Sequence, residues 1–177
     1  MAWGAYWLIF SRDANKTKES ESPLSRLLHL APIAVAFLGI FAKTFDVPFL
    51  KTRWLPEDSA AGPLGALITG LGLSFAVWAR NHLGKYWSGI ITLKEGHALI
   101  RTGPYRFARH PIYTGFLFGA LGSAISLGKI RGLAAVALVL IAYRRKIVVE
   151  EGVLIKQFGE EYHRFRREVK ALIPFVL

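Results

Sequence analysis

Residues 101–127, RTGPYRFARHPIYTGFLFGALGSAISL, decide the fold, because Arg101, Arg106, Arg109 and His110 stand directly against the start of a long apolar run. Charged groups at the edge of a bilayer are costly unless they face a protein-lined or watery cavity. The stretch therefore reads as a functional site at the lipid boundary of a membrane protein. A second apolar run, 132–143, follows after only residues 128–131, and so short a connection demands an antiparallel helical hairpin.

Working outward, crossing about 30 Å of hydrocarbon takes roughly 20 apolar residues. One span runs from about residue 27 to 45 (LLHLAPIAVAFLGIFAKTF), where Pro32 kinks a membrane helix without ending it. Another runs from about 64 to 78 and reaches full length if 79–82 extend it. The N-terminus, MAWGAYWLIFSRD, lacks the basic region and cleavage site of a signal peptide and reads as a clipped or interfacial first helix. SRDANKTKESESP and VPFLKTRWLPEDSAAGP read as polar connections. In the tail, Leu154, Phe158, Tyr162, Phe165 and Val169 recur at intervals of three or four, the pattern of an amphipathic helix, with Gly159 marking a bend or a close approach. The expected fold is an all-α integral membrane bundle of about five helices with a C-terminal amphipathic helix. It forms a single domain over 1–177, with N-terminal helices in 1–80 and a catalytic core in 81–177.

Composition agrees. Of 177 residues 53% are hydrophobic, too many for an ordinary soluble domain of this size. The net charge of +11 does not indicate nucleic-acid binding, because the basic residues are interleaved with apolar spans instead of forming one solvated patch. Absence of Cys excludes disulfides, thiolate metal sites and a Cys nucleophile. His29, His82, His97, His110 and His163 show no ligand spacing such as HExxH, so no metal site is expected. Eighteen of the 23 Lys and Arg fall on one side of the bundle, which places the 101–115 motif and the tail on the cytoplasmic face.

LGKYWSG, then GHALIRTGPYRFARHPIYTG, the hairpin, and EEGVLIKQFGEEYHRFRREVKALIP together resemble the isoprenylcysteine carboxyl methyltransferase family and its prokaryotic relatives, which are similar to phospholipid methyltransferases. The resemblance covers about residues 78 to 177. RHPxYxG alone is moderately specific; HxLxxxGPY before it and EExxLxxxFGEEY after it make the set specific. The resemblance implies S-adenosylmethionine held by the last two helices, their preceding connector and the tail, with His97, Leu99, Gly103 and Tyr105 on the adenosine side.

The residue types suit that cofactor on physical grounds. A carboxylate, an ammonium, a sulfonium and an adenine call for a cationic donor, carboxylates and aromatic faces. Arg109 and His110 can donate to the cofactor carboxylate, Tyr113 lies one turn onward from His110, and Glu151 or Glu150 can hold the ammonium. Pro111 suits the first turn of a helix, and Gly115, Gly119 and Gly122 form a small-residue face for close packing. Methyl transfer from a sulfonium is an in-line displacement that depends on alignment and exclusion of water. A carboxylate acceptor needs no base; for an amine or hydroxyl, Glu150 is the candidate. Arg144 and Arg145 are candidates to orient an anionic acceptor. In the family, arginines tend to stand a residue or two later, where this chain has Lys146 and Val148, which favours a small lipophilic acceptor entering from the bilayer over a prenylated cysteine. Two rivals remain open. One is a membrane NADPH-dependent sterol or steroid reductase, whose motif differs where this chain has Ile112 and Phe116. The other is a non-enzymatic membrane scaffold.

Overall fold

The computed structural model describes residues 17–20, 22–41, 47–57, 60–87, 92–94 and 98–173. The N-terminal segment 1–11 and the candidate cofactor ligand His97 lie outside the described residues. In chain order the elements are β1 (Thr17–Ser20), α1 (Pro23–Phe41), α2 (Pro48–Lys51), α3 (Ala61–Leu83), β2 (Thr92–Lys94), α4 (Pro111–Leu127), α5 (Ile130–Phe158) and α6 (Glu160–Glu168).

Local chemistry sets most boundaries. Ser22 caps α1, its Oγ accepting from the Ser25 N–H at 3.2 Å, and the helix runs through Pro32 as expected. Pro111 occupies the first turn of α4, where a missing N–H costs nothing. Gly128 ends α4 in the left-handed conformation at φ 62°, and α5 begins two residues later. That is the hairpin the short connection demanded. α5 has 29 residues, roughly 44 Å at 1.5 Å per residue, so it outruns the bilayer and carries its last turns into water. Gly159, at φ 52°, breaks it from α6. The amphipathic tail is thus divided between the end of α5 and a separate α6.

Packing is organised around the hairpin: α3 lies on α4, α1 lies on α5, and α4 lies on α5. Glycines make the α3–α4 contact close. A Cβ at Gly72 would stand 2.7 Å from the Gly115 carbonyl oxygen, and one at Gly122 would stand 2.5 Å from that of Gly65. Thr69 and Ser126 reinforce this seam, donating to the carbonyls of Gly119 and Gly62 at 3.2 and 3.0 Å. Small residues with hydroxyls are the packing device of helices that lack a hydrophobic driving force between them. Pro23–Ile40 within α1, and Ala61–Tyr86, which begins with α3 and runs three residues past its end, are long and apolar enough to cross a membrane, and only 17% of an 18-residue window in each is buried in the protein. Leu67 and Leu71 on α3 are 58% and 63% exposed and Phe37 on α1 is 61% exposed. Lipid is the environment in which such faces cost nothing.

The bundle has two distinct ends. At one, the segment after α2 docks on the hairpin turn: Trp54 N–H donates to the Gly128 carbonyl at 3.0 Å and Ile130 N–H to that of Thr52 at 3.0 Å. The connector 98–110, the polar end of α5, α6 and the N-terminus of α1 gather at the other. There too lies an antiparallel ribbon of β1 with β2. Part of the segment expected to be a polar loop is therefore a strand, because two extended polar segments satisfy their backbone groups by pairing.

Candidate active site

The site is built where the connector enters α4. Residues 101–110 hold no long helix; a single 3₁₀ turn, Gly103–Arg106, packs against α3. Gly103 is required there twice over. Its φ is 57°, and a Cβ would sit 2.6 Å from the His82 ring. His82 in turn hydrogen-bonds the Thr102 hydroxyl at 2.9 Å and stacks on Tyr105. The close approach at Gly103 is thus to His82, in the last turn of α3. Tyr105 is buried with Ala79 and Ile112, and Leu99 is half-buried nearby in the chain. Burial, with Glu150 close by, pushes the Tyr105 phenol well above its usual range, so it remains a neutral hydroxyl.

His110 is the residue before α4, and its own backbone is held from the tail. Arg109 and His110 donate their N–H groups to the carbonyls of Lys170 and Ala171 at 2.9 Å each. The Thr114 hydroxyl donates to the Leu172 carbonyl at 2.7 Å. Residues 169–172 therefore lie alongside the start of α4 and close that face of the site.

Two glutamates from α5 meet this unit, and they sit differently. Glu151 is buried. Its Oε1 accepts from Arg109 Nε and Nη2, both at 2.7 Å, and lies 3.3 Å from His110 Nε2. Its Oε2 lies 3.1 Å from Arg166 Nε on α6. Burial works against the ionised form, but the His110 and Arg109 contacts outweigh it and hold the carboxyl down at about 2. Arg109 is equally committed, because its Nη1 donates to the carbonyls of Arg166 and Val169. Glu150 is more open, its side chain 31% exposed against 8% for Glu151. It accepts from the Tyr113 hydroxyl at 2.8 Å and lies 3.7 Å from His110 Nδ1. Beside it the rings of His110, Tyr113 and Tyr143 form a stack, with centroids 5.5 and 4.8 Å apart and planes within 3° and 16° of parallel. Lys146 Nζ lies 5.2 Å over the Tyr113 ring.

The structure thus brings together Tyr105, Arg109, His110, Tyr113, Glu150 and Glu151. It does not bring Arg145 there. That side chain turns to α1, where Nη1 donates to the Ser25 carbonyl at 2.9 Å and lies 3.4 Å from His29 Nδ1. Arg144 is exposed, and Lys146 is the member of the basic run that faces the site. Arg166 and His82 were missed. A signal existed for Arg166: on a helix, 162, 165, 166 and 169 lie on adjoining positions of one side.

A half-open carboxylate beside stacked aromatic faces suits a cationic nucleoside, since both attract a sulfonium and an ammonium. Comparison with known proteins finds methyltransferases. A model of the phospholipid methyltransferase family matches residues 61–161. The protein-S-isoprenylcysteine O-methyltransferase of Saccharomyces cerevisiae is 30% identical over 154 residues, covering 84% of this chain and 64% of the relative. A probable protein-S-isoprenylcysteine O-methyltransferase of Oryza sativa subsp. indica is 35% identical over 153 residues, covering 84% and 76%. The chain thus spans about two thirds of the length of the yeast relative. The solved structure of the eukaryotic intramembrane Ras methyltransferase, isoprenylcysteine carboxyl methyltransferase, superposes with a TM-score of 0.63 at 23% identity, covering 90% of this chain and 55% of that one. That likeness establishes the class of fold, a helical bundle of the same architecture. The chain belongs to the phospholipid methyltransferase family and, within it, to the isoprenylcysteine carboxyl methyltransferase group.

Proposed function

We propose that this protein transfers a methyl group from S-adenosylmethionine to a lipophilic acceptor that reaches the site from the bilayer. The observation that carries this reading is the Glu150 carboxylate, bonded to Tyr113 beside the His110–Tyr113–Tyr143 stack where two spans leave the membrane. S-adenosylmethionine supplies an electrophilic methyl on a sulfonium. The chain's contribution is to bind, orient and exclude water. Glu150 holds the ammonium beside the stack of His110, Tyr113 and Tyr143, and Tyr105 with the 3₁₀ turn lines the adenosine side. The segment 169–172 closes the site from solvent.

The names of the relatives point to the carboxylate of an isoprenylated cysteine as acceptor, the acceptor that Lys146 and Val148 speak against in the sequence. A carboxylate arrives as an anion, so no proton has to be removed. Lys146, one turn before Glu150 toward the membrane, is placed to attract it. The excess of basic residues on this side of the bundle supports a site that faces the cytoplasm.

The test uses full-length protein in detergent. Titration with S-adenosylhomocysteine should release heat and raise the melting temperature; ligand at 100 times Kd stabilises by about 2.7 kcal/mol. Labelled methyl should appear on N-acetyl-S-farnesylcysteine in preference to phosphatidylethanolamine. Absence of both heat and stabilisation removes the reading, and oxidation of NADPH with a sterol substrate would replace it by the reductase.

A further inference from the structure

Glu150 and Glu151 are adjacent carboxylates, yet the structure gives them different work, and the difference originates on α6. Both oxygens of Glu151 are engaged: Oε1 by Arg109 at 2.7 Å and His110 at 3.3 Å, Oε2 by Arg166 at 3.1 Å. An ionised carboxylate only accepts, and three cationic or N–H donors at these distances leave little of it for a further ammonium. Arg109 is closed off in the same way, by Glu151 and by the carbonyls of Arg166 and Val169. These residues fasten the protein to itself.

What they fasten is a strap. Tyr162 and Phe165 bury α6 against the bundle, Glu168 pairs with Arg101 of the connector, and residues 170–172 take hydrogen bonds from Arg109, His110 and Thr114. Arg166 links this strap to α5 through Glu151. Glu151 bonds the His110 ring, whose plane lies parallel to that of Tyr113, and Tyr113 donates to Glu150.

Taking the methyltransferase reading as its basis, we propose that Arg166 is a positioning residue. With Arg109 it grips Glu151 from two sides, making Glu151 the bolt of the strap, and Glu150 alone of the two glutamates meets the methyl donor.

The experiment compares R166M, R166K, E151Q and E150Q in the full-length detergent-solubilised protein, with two readouts. One is hydrogen exchange at the Arg109 and His110 amides, which donate into the strap, measured without ligand. The other is the Kd for S-adenosylhomocysteine. R166M should speed exchange at both amides and weaken binding by up to about fivefold, the loss expected of one partly exposed ion pair. R166K, which keeps the cation, should recover most of both. E151Q should behave like R166M, and R166M combined with E151Q should be no worse than E151Q alone. E150Q should weaken binding more than R166M does, with exchange at the two amides as in the wild type.

Equal loss of binding in E151Q and E150Q with wild-type exchange in both would make Glu151 a ligand and overturn the proposal. So would wild-type exchange and affinity in R166M. If the unaltered protein binds no S-adenosylhomocysteine, the methyltransferase reading falls and with it the role given to Glu150. Exchange in R166M then still decides whether Arg166 holds the strap. R166M is the gentle variant, because its side chain is 42% exposed, so a failure of E151Q to fold leaves the comparison intact.

Discussion

Gly115→Ala tests whether the α3–α4 seam is held at backbone contact. A methyl group built on Gly115 meets the Gly72 carbonyl oxygen at 2.5 Å, the Ala76 nitrogen at 2.7 Å and the Ala76 Cβ at 2.8 Å. Two of the three are backbone atoms, so no side chain can rotate away, and the helices must separate. Overpacking a well-packed site costs about 1–3 kcal/mol, and rigid neighbours place this one near the upper end. Replacing a helical Gly with Ala returns about 1 kcal/mol, so the net loss is about 2 kcal/mol. Gly70, two residues before Gly72 on the same helix, is the internal control. Nothing lies within 4 Å of a Cβ there, so Gly70→Ala should be neutral or stabilising by up to about 1 kcal/mol. The two alanine variants should therefore differ by about 3 kcal/mol, or roughly 6–12 °C in melting temperature for a chain of this size. Intrinsic fluorescence melts in one detergent measure both. Melting temperatures within a degree of each other would show that the seam yields freely and would refute the close-packed geometry.

Arg145→Met should destabilise the protein, since it removes the donor to the Ser25 carbonyl and the cation beside buried His29; a melting temperature equal to that of the wild type would place Arg145 elsewhere. Acid should loosen the strap. The Glu151 carboxyl is held near 2, below its ordinary 4.5, so its stabilisation is complete above about 4.5 and is lost as pH falls toward 2. It amounts to on the order of 3 kcal/mol, and the melting temperatures of wild type and Glu151→Gln should converge over that interval; a constant gap between them would contradict the assignment. Gly103→Ala forces a Cβ against the His82 ring at a left-handed φ, so affinity for S-adenosylhomocysteine should fall by about tenfold through misplacement of Tyr105. Unchanged affinity would separate the 3₁₀ turn from the cofactor site.

Much of this architecture was legible in the residues. The run 101–127 announced a polar site against an apolar helix, the brevity of 128–131 demanded a hairpin, and Pro111, Gly128 and Gly159 stand where helices begin or end. The small-residue face of α4 is the one that meets α3. These features are local: hydrophobic period, a missing N–H and a missing Cβ act on the backbone within a few residues, so they can be read in chain order. The ribbon was not legible, because strands of four and three residues carry too little pattern to announce a pairing across more than seventy positions.

Partnership among the charges was decided by the tertiary structure. Composition marks Arg109, Arg144, Arg145, Lys146, Glu150, Glu151 and Arg166 as equivalent cations and anions near one face. Folding sends Arg145 to α1, lays Lys146 over Tyr113, closes Arg109 and Arg166 upon Glu151 and leaves Glu150 half-open. Each of those contacts joins residues far apart in the chain, Arg109 and Glu151 being 42 positions distant. Charge fixes that a carboxylate will seek a cation; the packing of α4, α5 and α6 determines which cation reaches it.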